Sequence, residues 1–253
     1  MKRLLILFHF VSVVFSANSQ IQYLRYNDDF RYLKSDSVRK KRLQKIKYIP
    51  VSRKVNISFG GEIREQLQYY KNINFGDVPP TYEKWSTWQL WHRLTAYTDI
   101  EVGKKTRLFT QLGSTYRLFN PNPLTPEIEQ NELSLHQAFI DPHLNSRWMV
   151  RFGRQEISYG SHRLITFREG PNTRLTFDAA VIKYNRGKTR VDVIAISPVI
   201  SNKGVFDDEK FKDIITGAYA TEKFTKAFSA DYYLLHFHSK RRQYSYVGGI
   251  ENR

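Results

Sequence analysis

The chain has no cysteine, so it holds neither a disulfide framework nor a thiolate metal site. Its most apolar stretch, Leu4 to Phe15, falls well short of the ~20 apolar residues that a membrane-spanning helix needs. Carboxylates are scarce: 24 Asp and Glu stand against 40 Lys and Arg, for a net charge of +16. That balance selects polyanionic partners. A nucleophile elbow, a Ser-His-Asp order and a Gly-rich phosphate loop are also missing. No enzyme activity and no cofactor are therefore expected.

What is present begins with an export signal. Lys2 and Arg3 supply a positive start, and Leu4 to Phe15 match the apolar core of about 7–15 residues typical of such signals. Ala17 and Ser19 are small residues at the spacing that a signal peptidase reads, so cleavage is expected near Ser19/Gln20. Behind an export signal, nucleic acid is not an expected partner. Acidic polysaccharide, small carboxylates and phosphates are the anions to consider. The 16 Tyr, 17 Phe and 4 Trp suit the aromatic girdles of a membrane barrel.

Residues 20–54 read as a basic leader, with Arg39-Lys40-Lys41-Arg42 as its densest charge run. Two readings are open for it: a solvated arm, or a periplasmic segment that plugs or lines a lumen mouth. From Val55 the pattern turns to period two. Ile57, Phe59, Ile63, Leu67 and Tyr69 share one face, while Ser58, Glu62, Arg64, Gln66 and Gln68 share the other. The same alternation predicts a hairpin over 90–117, strands over 133–141 and 148–157, and hairpins over 177–196 and 214–238. Long connections (71–87, 118–132, 158–175, 197–213) alternate with tight turns, which is the plan of an outer-membrane barrel. Lipid offers no partner to a free N–H or C=O, so such a sheet must close. The pattern gives about nine or ten strands, and the last looks cut at its start, so a fragment of a larger barrel is expected.

The motif-rich part is Gly153-Arg154-Gln155-Glu156, Tyr159-Gly160, Arg163-Leu164, Arg168-Glu169-Gly170-Pro171-Asn172 and Phe177-Asp178. Together with Phe59-Gly60-Gly61-Glu62-Ile63-Arg64-Glu65 and Leu135-His136-Gln137-Ala138-Phe139-Ile140-Asp141, it resembles the alginate-export family of outer-membrane β-barrel porins. The resemblance runs from about residue 22 to the C-terminus. It implies an antiparallel transmembrane barrel of about eighteen strands, of which residues 55–253 would supply about half. It also implies a cationic lumen and passive passage of an anionic saccharide or small anionic solute. Outer-membrane lipid and the barrel-assembly machinery are the implied partners, in a bacterium with two membranes.

Strand parity sends Arg64, Arg93, Arg117 and Arg151 to the lumen side, with Glu62 and Asp99 beside them. Arg154 has the parity of Phe152, and a bulge at Gly153 would turn it inward. Arg163, Arg168 and Arg174 sit in the long loop 158–175, which would fold inward as a constriction with Asp178 as their partner. Guanidinium suits carboxylate because its planar fork donates two parallel hydrogen bonds. Each arginine could instead form a structural ion pair in the wall. His236 and His238 share a strand face but lack a third metal ligand, and Glu127, Glu129 and Glu132 read as solvated loop charge. Glu62 and Glu65 have opposite parity, which argues against a glycosidase pair. The alternative reading is a secreted or periplasmic β-protein that holds acidic polysaccharide on a basic face. Gel mobility separates the two: a barrel in detergent is expected to run anomalously until boiled, and a soluble binder is not.

Overall fold

Period-two alternation forms strands when one face must differ from the other, and this chain turns that alternation into one long antiparallel meander. The structure is a computed structural model that describes residues 22–34, 42–71, 87–119, 129–210, 213–239, 243–246 and 249–252. The expected signal segment and Glu127 lie outside the described residues. The strands are β1 (Ile49–Ser52), β2 (Val55–Tyr70), β3 (Thr87–Val102), β4 (Thr106–Leu118), β5 (Asn131–Pro142) and β6 (Trp148–Gln155). After a long connection come β7 (Phe177–Arg186), β8 (Thr189–Ile200), β9 (Glu209–Lys210), β10 (Ile214–Lys223) and β11 (Ser229–His238). One sheet runs in the order β1-β2-β3-β4-β5-β6-β7-β8-β10-β11, with β9 paired to β8. A separate hairpin joins β12 (Gln243–Tyr246) to β13 (Gly249–Asn252). The nine long strands fall where the alternation places them. Only the short β1, β9, β12 and β13 carried no legible pattern.

Tight turns gather at one end of the sheet, and the long connections leave from the other. We call these the turn end and the loop end. β2 and β3 pair over their full 16 residues, from Val55↔Val102 to Tyr70↔Thr87. That length exceeds the ~9–11 residues that a tilted strand needs to cross a bilayer.

The two faces of the sheet are inverted relative to a soluble protein. Ser58, Arg93, Asp99, Gln111, Gln137 and Arg151 are buried on the face where other parts of the chain fold down, here the packed face. Ile63, Leu67, Leu94 and Phe152, with Ile182 and Val193, stand exposed on the opposite, open face; Ile63 is 71% and Leu67 61% exposed. An extended apolar face of this kind, interrupted by the Glu65–His92 and Arg154–Asp178 pairs, marks contact with membrane or with a partner. The exception is the middle of β7 and β8, residues 179–182 and 193–196, which is apolar on both faces. Their packed side carries Phe177, Ala179, Val181, Ile194 and Ile196 against Ile157, Tyr159 and Ile165 from the connection that follows β6.

Two irregularities shape the wall. Gln111 pairs with Gln137 but Leu112 with Leu135, so His136 is an extra residue in β5 and both His136 and Gln137 are buried. β6 pairs with β5 only from Phe152 to Arg154. Gly153 there has φ +125°, and a Cβ on it would lie 2.2 Å from the Ala138 carbonyl oxygen, so only glycine fits. Beyond that short contact, the chain after β8 takes over the free edge of β5. Glu132 N–H donates to the Lys203 carbonyl (3.0 Å), and Phe206 N–H donates to the Leu133 carbonyl (2.8 Å).

A hydrocarbon partner for the open face would have a measurable consequence. Ile63→Arg is expected to destabilise the lipid-folded protein by about 2–4 kcal/mol, the cost of arginine near a bilayer midplane. Urea titration of the protein refolded into liposomes measures it, and a change near zero would mean that water wets this face.

Candidate functional site

Residues directly paired across antiparallel strands share a face, so the register assigns each charged side chain. Arg64 stands opposite Arg93, Glu62 opposite Thr95, Ser58 opposite Asp99, and Arg117 opposite Trp91, all on the packed face. Two arginines facing each other directly would be destabilising alone. The connection after β6 resolves this by folding onto them. Its Ile157, Tyr159, Ile165 and Phe167 are buried, and Glu169 meets both guanidiniums. Arg93 Nη1 lies 3.0 Å from Glu169 Oε1 and Arg64 Nη1 lies 3.5 Å from the same oxygen.

Arg93 is 2% exposed and fully engaged. Its Nε donates to the Asn172 carbonyl (2.7 Å) and its Nη2 to the Pro171 carbonyl (2.8 Å). Arg174, from the same connection, reaches Glu169 at 2.5 Å, Glu156 at 3.5 Å and Glu62 at 4.0 Å. Glu62 also takes Arg25 of the leader. Four guanidiniums, those of Arg25, Arg64, Arg93 and Arg174, therefore converge on Glu62 and Glu169. The cluster stays net cationic. Asn172 fastens the connection by donating its side-chain N–H groups to the carbonyls of His92 (3.3 Å), Tyr116 (3.1 Å) and Glu129 (3.0 Å).

Nearer the turn end, charge is matched pair by pair. Arg151 grips Asp141 through two bonds of 2.7 and 2.6 Å, both residues buried. Arg107 grips Asp99 through two of 2.7 Å. The Arg151 guanidinium lies 4.1 Å from the ring centroid of Tyr26 and 4.0 Å from that of Phe139. Tyr26 meets Phe139 edge-on at 5.3 Å, and Phe109 stacks on both Phe139 and Tyr97. Burial pushes the Tyr26 phenol up to about 12 and lowers the Lys47 ammonium.

The expected lumen residues Glu62, Arg64, Arg93, Asp99, Arg117 and Arg151 thus share one face, and Arg174 joins them from the loop. Arg163 and Arg168 are exposed on that loop. Arg154 and Asp178 are corrections. Gly153 does not turn Arg154 inward: the register continues unbroken from Arg151↔Val181 to Arg154↔Asp178, which leaves both on the open-face parity. Asp178 accepts from Arg154 Nε (2.9 Å) and so is no partner of the loop arginines. Sequence reasoning passed over Glu156 and Glu169, which lie inside quoted motifs, and Arg25, Arg107, His136 and Asp141. Arg107 shares the parity of Arg117, but nothing local shows which carboxylate meets which cation.

A cavity of about 430 Å³ opens between this loop and the sheet. Arg168, Arg174, His136, Thr173 and Thr176 line it on one part and Phe237 on another. Hydroxyls and guanidiniums beside an aromatic ring suit a sugar ring that bears a carboxylate. Among the described residues no group of His, Asp or Glu forms a metal site, and no helix is long and apolar enough to cross a membrane; the latter says nothing of crossing by strands.

A family model described as alginate export matches residues 55–252. No curated protein and no solved structure matches.

Asp141→Ala leaves a buried guanidinium without its carboxylate, and the expected loss is about 3–5 kcal/mol. Equilibrium unfolding in detergent or lipid measures it. A loss under about 1 kcal/mol, the scale of exposed pairs, would mean that the site is wet.

Proposed function

Because this chain belongs to the alginate-export family, we propose that it forms the wall of an outer-membrane channel, and that anionic polysaccharide or other anionic solutes pass passively along its arginine-bearing face. The family is one of outer-membrane polysaccharide channels, which favours transport over catalysis. The observation that carries the finer reading is the inverted sheet. Its open face is apolar, and its packed face from β2 to β6 concentrates guanidinium groups.

The physics of passage follows from that face. Arginine keeps its charge at any relevant pH and offers carboxylates a two-pronged contact. Two unit charges 4 Å apart attract by about 1 kcal/mol in water and about 4 kcal/mol at an effective dielectric of 20. Conduction needs contacts weak enough to release. Glu62 and Glu169, already shared among four guanidiniums, hold each of them below full attraction for a passing carboxylate. Arg168 stands exposed at the loop end, where a solute first meets the charge, and Arg163 stands exposed at the tip of the in-folded connection. The outer-membrane lipid covers the open face, and the barrel-assembly machinery places the strands in it. The secreted-binder reading leaves Ile63, Leu67 and Phe152 in water and has no observation in its favour.

Planar-bilayer recording tests the channel. The protein is expected to prefer anions, and Arg163→Ala with Arg168→Ala to weaken that preference. The weakening should be larger at 0.01 M salt, where charge reaches about 30 Å, than at 1 M, where it reaches about 3 Å. Preference for cations, or a double variant that matches the parent at low salt, would defeat the reading.

A further inference from the structure

The leader is not a free arm. Tyr26 is 5% exposed and Leu33 0%, although both belong to a strongly basic segment before the first long strand. β1 ties the segment down at the turn end: Ile49 pairs with Ile57 and Pro50 with Asn56 on the edge of β2. From there residues 22–34 and 42–48 return across the packed face. Lys47 Nζ donates to the Tyr97 hydroxyl (2.8 Å), and Tyr48 N–H donates to Ser58 Oγ (2.8 Å). Gly60 makes the crossing possible, since a Cβ there would lie 2.3 Å from Lys47 Nζ and 2.4 Å from the Tyr97 ring.

The leader's contacts fall in two tiers. Tyr26 sits among Tyr97, Phe109 and Phe139, which lie a few residues from the tight turns. Higher up, the leader meets the in-folded connection. Tyr26 OH donates to the Glu156 carbonyl (2.9 Å), Arg25 joins Glu62, and Arg174 Nη1 donates to the Tyr23 carbonyl (3.3 Å). Glu62 and Arg174 are the same groups assigned above to the solute path.

We propose that residues 22–34 of the leader are a plug that occupies the turn-end half of the channel, seated by Tyr26 in an aromatic socket and latched by Arg25 on Glu62. This rests on the channel reading. Its chemistry adds a specific feature: the latch is an arginine–carboxylate contact of the same kind that an acidic solute would make. A carboxylate arriving along the path competes with Glu62 for Arg25, Arg93 and Arg174. The seat at Tyr26 is aromatic, and such a solute does not compete for it. The plug is therefore hinged at the β1 hairpin and loosened from its upper tier first.

The test compares the full chain with a variant lacking residues 22–34, each reconstituted in planar bilayers. The deletion is expected to raise single-channel conductance several-fold and to leave the sign of ion preference unchanged. Equal conductance would overturn the plug, and so would a failure of both proteins to conduct, since removal would then have opened nothing. Cation preference in both would sink the anion reading while the conductance ratio still decided the plug. Should the deletion variant not fold, Tyr26→Cys in the full chain provides the single thiol of a cysteine-free protein. A membrane-impermeant maleimide is expected to label it far more slowly than Lys104→Cys in the exposed turn after β3. Equal rates would overturn the proposal.

Discussion

A sheet one layer thick has nothing of its own behind either face, so each face must find its partner elsewhere. Here the partners differ in kind. The open face shows leucine, isoleucine and phenylalanine to the outside, and in the proposed channel hydrocarbon is the medium that stabilises it. The packed face carries arginine, aspartate and glutamine, for which hydrocarbon would be prohibitive. Two pieces of the same chain satisfy it instead: the basic leader from the turn end and the connection 156–176 from the loop end. Every interior contact follows from that division. A buried guanidinium is tolerable only if its N–H groups and its charge are matched. Arg93 shows the rule at its strictest, with two backbone carbonyls and two carboxylates around one fork.

This division explains which parts of the structure were legible in the sequence. Strands with two unlike faces, β2 to β6 above all, announce themselves, because a one-residue slip would exchange leucine for arginine along that part of the wall. Parity alone therefore placed Glu62, Arg64, Arg93, Asp99, Arg117 and Arg151 on one side. It also assigned Arg154 to the side of Phe152, and the appeal to Gly153 as an inward-turning bulge was the mistaken step. That glycine serves the close approach of β6 to β5 and leaves the register unchanged. The doubled packed-face residues His136 and Gln137 were not readable, since a bulge of one residue leaves no mark in composition. The continuous apolar stretches in β7 and β8 did carry a signal. An apolar packed face needs apolar cover, and here that cover is Ile157, Tyr159 and Ile165.

Ion pairing changes what the net charge of +16 means for selectivity. Near the turn end, Arg107 with Asp99 and Arg151 with Asp141 are neutral units whose forks are already filled. They rigidify the wall and contribute little field. Towards the loop end the ratio shifts, with four arginines about Glu62 and Glu169 and with Arg168 exposed beyond them. The gradient runs from matched charge at the turn end to excess cation at the loop end. Counting arginines would miss this, because the pairing partners Glu156 and Glu169 arrive from a connection and not from the strands. In the proposed channel this geometry, with each carboxylate shared between several forks, sets how firmly a passing anion is held.

Direction along the strands adds a final constraint. From β2 to β11 there are eight antiparallel steps, so these two strands run the same way. Joining β11 directly to β2 would demand a parallel seam, which all-antiparallel bacterial barrels of even strand number avoid. Antiparallel closure is possible only with an odd number of strands between β11 and β2. The leader bears on the same geometry. Its hairpin pairs only with the first residues of β2, Val55 to Ile57, and leaves the rest of that edge open to a closing strand. A plug anchored there can enter the interior without blocking the seam on which closure depends.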